Sequence, residues 1–443
     1  MVSKSAPLCD SDSLRKPEPS EGNYFVAAYP PFSVWTADDV HAYRAILQDE
    51  AIETPLVMYL HLPFCSRRCD FCYYLSYAGK RPEDMESYLD VLLAELRYLA
   101  DQPVIQGRTL RSVYVGGGTP SLLSSRQITK LFDAIRSAFP MDDDAEITVE
   151  CAPGSSSMDT LQALKESGVT RVSMGVQSTC DAVLQASRRM HMFEDVRQAY
   201  ERMRTVGFAQ VNLDLIVGLP GQTDDTFRTS VDDLVRMETD SLTLYQLEVP
   251  HNTPLFKKNQ RSGAEKTYTD WAVKRKRLMD AYDQLEACGY NRISAYTAVR
   301  GSHQFTYQSL QYHGADLLGA GASSFSYVQG VHAQNVASLK GWQQQVEAGC
   351  LPVDRAYALS TEEQMIRQFV LQLKLGRVRA EHFLRYFQQN PMSLFQQSLR
   401  LLAIRGMLEF DEDGLIMTHK GLAHVDRIIP EFYLKKHCLV DNP

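Results

Sequence analysis

Cys65, Cys69 and Cys72 stand at spacings of four and three. Thiolates this close suit a soft metal centre, either an iron–sulfur cluster or zinc. A four-iron cube held by three cysteines leaves one iron without a protein ligand, and chemistry can occur there. Ser66, Arg67, Arg68 and Asp70 between the thiols are too polar for a run of core cysteines. Zinc needs a fourth ligand. His61 is near enough in sequence, but no second Cys/His pair follows at ribbon or finger spacing. Nine cysteines, an odd number with irregular spacing, fit a reducing cytoplasm better than a disulfide framework. Cys9, Cys151, Cys180, Cys288, Cys350 and Cys438 show no ligand spacing and read as structural.

The thiols follow an apolar run, 56–62, that reads as a buried strand stopped by Pro63. Further strands are expected at 112–115, 146–150, 171–176, 211–217 and 241–247, with amphipathic helices at 83–99, 125–138, 158–167, 195–206 and 224–237. This alternation implies an α/β fold with a parallel sheet and right-handed crossovers. Six such units fit a partial (β/α)6 barrel with its site at the C-terminal strand ends; an open doubly wound sheet is the rival. The second strand runs into Gly116-Gly117-Gly118-Thr119-Pro120. Glycines there let the backbone approach a ligand, and no Gly-Lys-Ser/Thr follows to make a phosphate loop. Glu150, Gln177 and Asp214 fall on or after the next three strands. Polar residues on three consecutive apolar strands point to one shared cleft.

A net charge of −8 argues against non-specific nucleic-acid binding, which needs a basic footprint. No run of 18 apolar residues would cross a membrane, and residues 1–23 lack the apolar core of a signal peptide. The expected division is an arm and helix (1–54), the barrel (55–265), an extension completing the cleft (266–352) and a C-terminal domain (353–443). The arm is expected to be flexible, and a helix should run from Thr36 to about Leu47. Lys274-Arg275-Lys276-Arg277, on an expected helix 268–285, reads as a solvated face with no role toward substrate. The C-terminal part combines helices 361–373, 380–387 and 393–405 with a hairpin turning at Asp411-Glu412-Asp413, a small winged-helix-like domain.

Together these motifs resemble a known family. The Cys-x3-Cys-x2-Cys spacing is similar to that of radical S-adenosylmethionine (SAM) enzymes. Tyr59-x-His61-x-Pro63-Phe64-Cys65, the Gly116–Pro120 loop, Gly175-Val176-Gln177-Ser178, Arg189-Met190-His191 and Asp214-Leu215-Ile216-Val217-Gly218-Leu219-Pro220-Gly221 look like the oxygen-independent coproporphyrinogen III dehydrogenase family. So do Gly319-Ala320-Gly321-Ala322-Ser323-Ser324 and Thr418-His419-Lys420-Gly421-Leu422. The resemblance covers roughly 55–430 and implies the following site. Cys65, Cys69 and Cys72 ligate a [4Fe-4S] cluster; Tyr59, Gly117, Glu150 and Glu248 contact a first SAM; Phe71, Gly118, Thr119, Gln177, Arg189 and Asp214 contact a second. Arg188 is an alternative to Arg189 as the inward-facing residue, and Glu248 replaces a small residue of the dehydrogenases.

The family includes porphyrinogen dehydrogenases, haem chaperones and class C radical SAM methyltransferases. Tyr74 stands where the dehydrogenase has a fourth cysteine. The aromatic run Phe71-Cys72-Tyr73-Tyr74, with Tyr29-Pro30-Pro31-Phe32 upstream, looks most like the methyltransferase members. The implied activity is reductive cleavage of SAM to a 5′-deoxyadenosyl radical, with a methyl or methylene carbon passing from a second SAM to an sp2 carbon. The substrate would be a small aromatic, heterocyclic or tetrapyrrole molecule, and the electron donor a flavodoxin or ferredoxin. Haem binding as a chaperone and porphyrinogen decarboxylation are the alternatives. The catalytic acid or base is not identified; Tyr73, Tyr74 and His313 are candidates.

Overall fold

The first long strand, Leu56–Leu62 (β1), is buried except at half-buried Tyr59, because a parallel sheet with both faces covered needs no alternation. It belongs to a computed structural model that describes residues 25–262 and 268–438; the expected arm and Cys9 lie outside the described residues. Short helix α1 (Val40–Ile46) precedes β1. The chain then winds through α2 (Pro82–Ala100), β2 (Leu110–Gly117), α3 (Ser125–Ala138), β3 (Met141–Cys151), α4 (Met158–Glu166) and β4 (Arg171–Gln177). A short α5 (Asp181–Ala186), α6 (Phe193–Val206), β5 (Gln210–Val217), α7 (Asp224–Arg236) and β6 (Ser241–Gln246) complete six units. β1 to β6 are sequential parallel neighbours, the partial (β/α)6 barrel expected.

The sheet extends beyond both ends of this arc. Helices α8 (Pro254–Ser262) and α9 (Trp271–Ala287) lead into β7 (Tyr290–Arg292) and β8 (Thr297–Arg300), which add antiparallel to the β6 edge. After α10 (Thr306–Tyr312), β9 (Asp316–Ala320) pairs parallel to β1 on its other side. Antiparallel β10 (Phe325–Val328), β11 (Val331–Asn335) and, past α11 (Leu339–Glu347), β12 (Val353–Ala358) follow. Among the described residues this is one twelve-stranded sheet, with a parallel centre and antiparallel wings.

The C-terminal part contains α12 (Thr361–Leu373), β13 (Arg377–Arg379), α13 (Ala380–Phe387), α14 (Pro391–Leu394) and α15 (Gln396–Ile404). The hairpin β14 (Leu408–Phe410) and β15 (Gly414–Met417) pairs with β13 as a small sheet. This is the winged-helix-like arrangement expected, except that the helix expected at 393–405 is interrupted at Phe395. Two short helices, α16 (His419–Ala423) and α17 (Val425–Ile428), carry the chain back to the barrel.

One expectation is overturned. Lys274, Arg275 and Arg277 are 2, 5 and 9% exposed, and only Lys276 of the run faces out, pairing with Asp280. α9 is enclosed by α7, β5, β6 and α16, so its cations turn inward and find local partners. Lys274 donates to the Leu247 carbonyl (2.8 Å) over the Trp271 ring. Arg277 donates to Asp224 (2.6 Å) and the Gln222 carbonyl. No helix among the described residues is long and apolar enough to cross a membrane.

α2 ties the parallel centre to the wing. The stripe of Leu89, Leu92, Leu96 and Leu99 is buried, and on the same helix Glu95 receives three donors. Gly321 N–H (2.8 Å), Trp342 Nε1 (3.0 Å) and Asn335 Nδ2 (2.6 Å) all point at its carboxylate. Burial nevertheless raises the Glu95 pKa to about 7. Glu95→Leu would leave three buried donors without an acceptor, and chemical denaturation should show a loss of about 3 kcal/mol or more. Wild-type stability should also fall as pH rises from about 4.5 to 7, because the folded state holds the Glu95 proton that the unfolded chain releases. Glu95→Gln should make that dependence shallower, leaving the share that the raised carboxyls Glu150 and Asp214 contribute over the same range.

Candidate active site

A cavity of about 620 Å3 opens at the C-terminal ends of β1–β6. The loop after β1 brings Cys65, Cys69 and Cys72 to one wall, each partly exposed as a free thiol. Little regular structure holds this loop. Phe64–Cys65 pairs with Tyr77–Ala78 as a two-residue ladder, Cys72 N–H reaches the Cys69 carbonyl (3.2 Å), and Arg68 Nη2 binds the Cys72 carbonyl (3.1 Å).

The glycine run has a structural duty beyond the one expected. Gly118 N–H donates to the Leu62 carbonyl (2.9 Å), and Thr119 N–H to the Phe64 carbonyl (2.7 Å). A Cβ at Gly118 would run into the Phe64 and Leu62 backbone. Gly117, at φ +110°, lies against the His61 ring. These glycines therefore let β2's exit press against the root of the cysteine loop.

Across the cavity floor, Glu150 accepts from Tyr114 Oη (2.8 Å) and Gly117 N–H (3.0 Å). Asp214 accepts from Asn212 Nδ2 (2.7 Å) and Ser173 Oγ. Burial pushes Glu150 up to about 7 and Asp214 to about 6 despite these donors. Arg189 faces inward, with Nη1 3.0 Å from Cys69 Sγ and Nη2 2.6 Å from the Gly175 carbonyl. Arg188 also borders the cavity, with its more exposed guanidinium 3.6 Å from Asp70. Gln177 sits at φ +71°, and a β-carbon at Gly175 would meet its amide nitrogen.

Phe71, Gly117, Gly118, Thr119 and Glu248 also line the cavity. Tyr59 does not: it stacks on Tyr114 at 6.1 Å and its hydroxyl hydrogen-bonds with His61 at 3.0 Å. Tyr73 and Tyr74 form an aromatic pair on the wall, rings 4.8 Å apart. His313 is elsewhere, edge-on to His382. Phe25, Tyr114, Ser173, Trp271, Arg275, Tyr296, His424 and Arg427 join the lining from segments that sequence reasoning did not connect with the site. No local motif marks them, because they reach the cavity from distant elements.

The donor set fits an iron–sulfur cluster. Three free thiols distributed along one loop at the cavity wall suit a cluster in which each iron takes one. Arg189 Nη1 and Thr119 Oγ1 (3.7 Å from Cys65) aim donors at the cysteine sulfurs, hydrogen bonds of the kind that would tune the potential of a cluster held there. The walls fit a polar cofactor as well. Gln177 Oε1 and Arg189 Nε are buried without a hydrogen-bond partner, which buried polar atoms rarely are without a ligand or water to complete them.

A parallel arc of six strands with three thiols beyond the first is the architecture of a radical SAM enzyme, and residues 59–234 match the Radical SAM superfamily. Within it the chain belongs to the family of oxygen-independent coproporphyrinogen III oxidases and the related haem chaperones. Heme chaperone HemW of Mycobacterium tuberculosis is 30% identical over 386 residues, covering 85% of this chain and 94% of that protein. The oxygen-independent coproporphyrinogen III oxidase of Escherichia coli (strain K12) is 29% identical over 390 residues, 83% of each chain. The solved structure of coproporphyrinogen III oxidase (HemN) from Escherichia coli, a radical SAM enzyme, superposes with TM-score 0.80 at 27% identity, over 92% of this chain and 96% of that one.

Gly118→Ala should displace the Phe64 carbonyl at the root of the cysteine loop, with a stability loss of about 1–3 kcal/mol in thermal unfolding. After anaerobic reconstitution this variant should hold less iron and sulfide per chain than wild type. Iron loading equal to wild type would show that the contact does not govern the loop.

Proposed function

We propose that this protein is a radical SAM enzyme that acts on a tetrapyrrole held in the cavity. The observation that carries the reading is one chamber combining three thiols with a wall of flat rings, Phe25, Tyr73, Tyr74, Tyr245, Trp271 and Tyr296. Aromatic side chains of this kind suit a planar conjugated ligand. The names of the relatives, haem chaperone and coproporphyrinogen III oxidase, support the same substrate class.

When bound, the cluster and SAM supply the one-electron cleavage of a sulfonium that starts the radical chemistry. The chain's own residues bind and orient. In this reading Cys65, Cys69 and Cys72 hold the cluster, and Glu150, Glu248 and Gly117 hold the SAM next to it, with Tyr59 behind them. Phe71, Gly118, Thr119, Gln177, Arg189 and Asp214 provide for a second SAM. Asp214 can accept from ribose hydroxyls, and Arg189 offers donors to a carboxylate. Tyr73 and Tyr74 shield the ring from water. Tyr74 stands in the cavity wall with its side chain partly exposed, and its phenol, protonated near neutrality as tyrosines ordinarily are, can donate a hydrogen bond.

A second reading concerns the reaction itself. Tyr74 in place of the dehydrogenase cysteine points toward transfer of a methyl or methylene carbon from the second SAM to an sp2 ring carbon, whereas the names of the relatives, haem chaperone and coproporphyrinogen III oxidase, support those two activities. Anaerobic turnover with reductant, SAM and haem or a porphyrinogen tests both readings. Carbon transfer predicts 5′-deoxyadenosine, S-adenosylhomocysteine and a tetrapyrrole product heavier by one carbon. Carbon dioxide release would assign the dehydrogenase reaction instead. Stoichiometric haem binding with neither nucleoside would assign the chaperone role.

The raised carboxyls give a pH test that needs no turnover. Glu150 and Asp214 lose their charge below about 7 and 6, so affinity for S-adenosylhomocysteine should fall on going from pH 8 to 5.5, by up to roughly tenfold per pH unit for each coupled group. Calorimetric titration of wild type against Glu150→Gln checks this, with a flatter profile expected in the variant. An equal slope in both would remove Glu150 from the binding site.

A further inference from the structure

Two segments from distant parts of the chain press on the cysteine loop, and both are rich in cations. The first follows α5. Arg189 Nη1 lies 3.0 Å from Cys69 Sγ, Arg188 lies 3.6 Å from Asp70, and Arg67 Nη1 reaches Met190 Sδ (3.3 Å). The second opens α8, where Leu255 N–H donates to the Asp70 carbonyl (2.8 Å) and Asn252 Nδ2 to that of Tyr73. Phe71 packs against an apolar cluster that Val183 of α5 shares with Leu255 and Phe256 of α8. Loop, α5 and α8 are therefore joined round the thiols.

The charge of this region is opposite to that of the molecule. Residues 64–76, 178–197 and 249–262 hold eight Lys and Arg against four Asp and Glu, in a chain of net charge −8. The four carboxylates are engaged. Asp70 is buried beside Arg188, and Glu194 pairs with Arg197 (3.4 Å). Asp181 and Asp195 accept from the backbone N–H of Phe193 (2.9 Å) and Met192 (2.8 Å). The cations are more open. Arg67, Lys257, Lys258 and Arg261 are exposed, and none has a carboxylate in ion-pair reach among the described residues. α8 carries three of these and no acidic residue. Beside Arg67 stands Met190, 63% exposed. Arginine and methionine within a polar rim are common components of protein interfaces.

Reductive cleavage consumes one electron for each SAM, and that electron has to enter near the thiols. Electron-transfer encounters bury little surface, and charge of one sign steers a partner of the other. We infer that Arg67, Arg188, Met190 and the cations of α8 form the docking face for a small acidic protein that carries one electron, of the flavodoxin or ferredoxin kind. No bond forms or breaks in the step: the carrier loses one electron and the cluster gains it. The inference rests on the radical SAM reading and adds the face at which the reductant arrives.

Anaerobically reconstituted protein is titrated with an acidic flavodoxin by calorimetry at about 50 and 300 mM salt. Reduction of the cluster is followed by its visible absorbance, with flavodoxin hydroquinone or with photoreduced deazaflavin, a small uncharged reductant. Wild type should bind flavodoxin at low salt and lose roughly tenfold or more in affinity at high salt. The tested variant combines Lys257→Glu, Lys258→Glu and Arg261→Glu, none of which lines the cavity. It should bind flavodoxin roughly tenfold or more weakly at low salt and accept its electron more slowly, with reduction by deazaflavin within about twofold of wild type. The corresponding triple Gln variant should fall between the two, and circular dichroism melts confirm that both fold. Flavodoxin affinity equal in wild type and the Glu variant would overturn the docking face. So would affinity indifferent to salt, slowing by both reductants alike, or a wild type that binds transfer RNA and not flavodoxin. Each of these leaves the radical SAM reading standing. Failure of wild type with SAM and photoreduced deazaflavin to yield 5′-deoxyadenosine would overturn that reading and the inference together.

Discussion

The site depends on a stretch of chain with almost no secondary structure staying in one place. Between Pro63 and Tyr73 the cysteine loop cannot form a ladder long enough to hold itself, so its carbonyls are bound one at a time by other parts of the fold. Tyr77 N–H takes the Pro63 carbonyl (2.7 Å), Thr119 N–H the Phe64 carbonyl, Gly79 N–H the Cys65 carbonyl and Leu255 N–H the Asp70 carbonyl (2.8 Å). Asn252 reaches the carbonyl of Tyr73 (3.4 Å). These donors come from the loop's own return, the exit of β2 and the start of α8. The thiols are therefore registered against both ends of the strand arc at once. A buried carbonyl left without a donor carries a desolvation cost, so each of these contacts resists the loop's lifting away.

The same economy of donors explains the floor of the cavity. Glu150 and Asp214 are deep enough that burial opposes their charge, yet each has two neutral donors fixed on it before any ligand arrives. Arg171, almost fully buried beneath them with its guanidinium 4.2 Å from the Phe305 ring, lowers both carboxyl pKa values and partly offsets that burial. The result is a pair of carboxyls poised near neutrality, ready to accept hydrogen bonds from hydroxyl or ammonium groups without rearranging. Preorganised polar groups of this sort hold a ligand at little reorganisation cost.

How much of this was legible depended on whether the signal was local. Strands β1–β6 and helices such as Ser125–Ala138 announce themselves by continuous apolar runs, 3.6-residue stripes and caps, as Ser124 and Gln127 show at the start of α3. The thiols and the polar residues at the strand ends follow from that alternation. The wings do not. β11 reads Val-His-Ala-Gln-Asn, yet all five residues are buried, because His332 reaches the Tyr29 carbonyl and Asn335 reaches Glu95. A polar strand with distant partners looks like a loop to any periodicity argument. The run Lys274–Arg277 misleads for the converse reason. Charge on a helix predicts solvent only when nothing encloses the helix, and α9 is enclosed by elements up to 150 residues away in the chain, such as α16.

That enclosure gives the C-terminal domain its bearing on the site. A small winged-helix-like unit could sit anywhere on a barrel. Here Lys374, immediately after α12, is wholly buried and bound to Asp426, while Asp426 also takes Tyr296 from the barrel extension and Val26 from the N-terminal segment. Three separate stretches of chain thus close on one carboxylate, directly behind the wall that carries Arg427. Removing one partner of such a buried pair leaves the other charge uncompensated, a strongly destabilising change. The contact therefore does more than attach one part of the chain to another: it fixes the cavity wall that carries His424 and Arg427 relative to the strand ends that carry Glu150 and Asp214. Geometry at the thiols and geometry at the far wall are thus held by different networks.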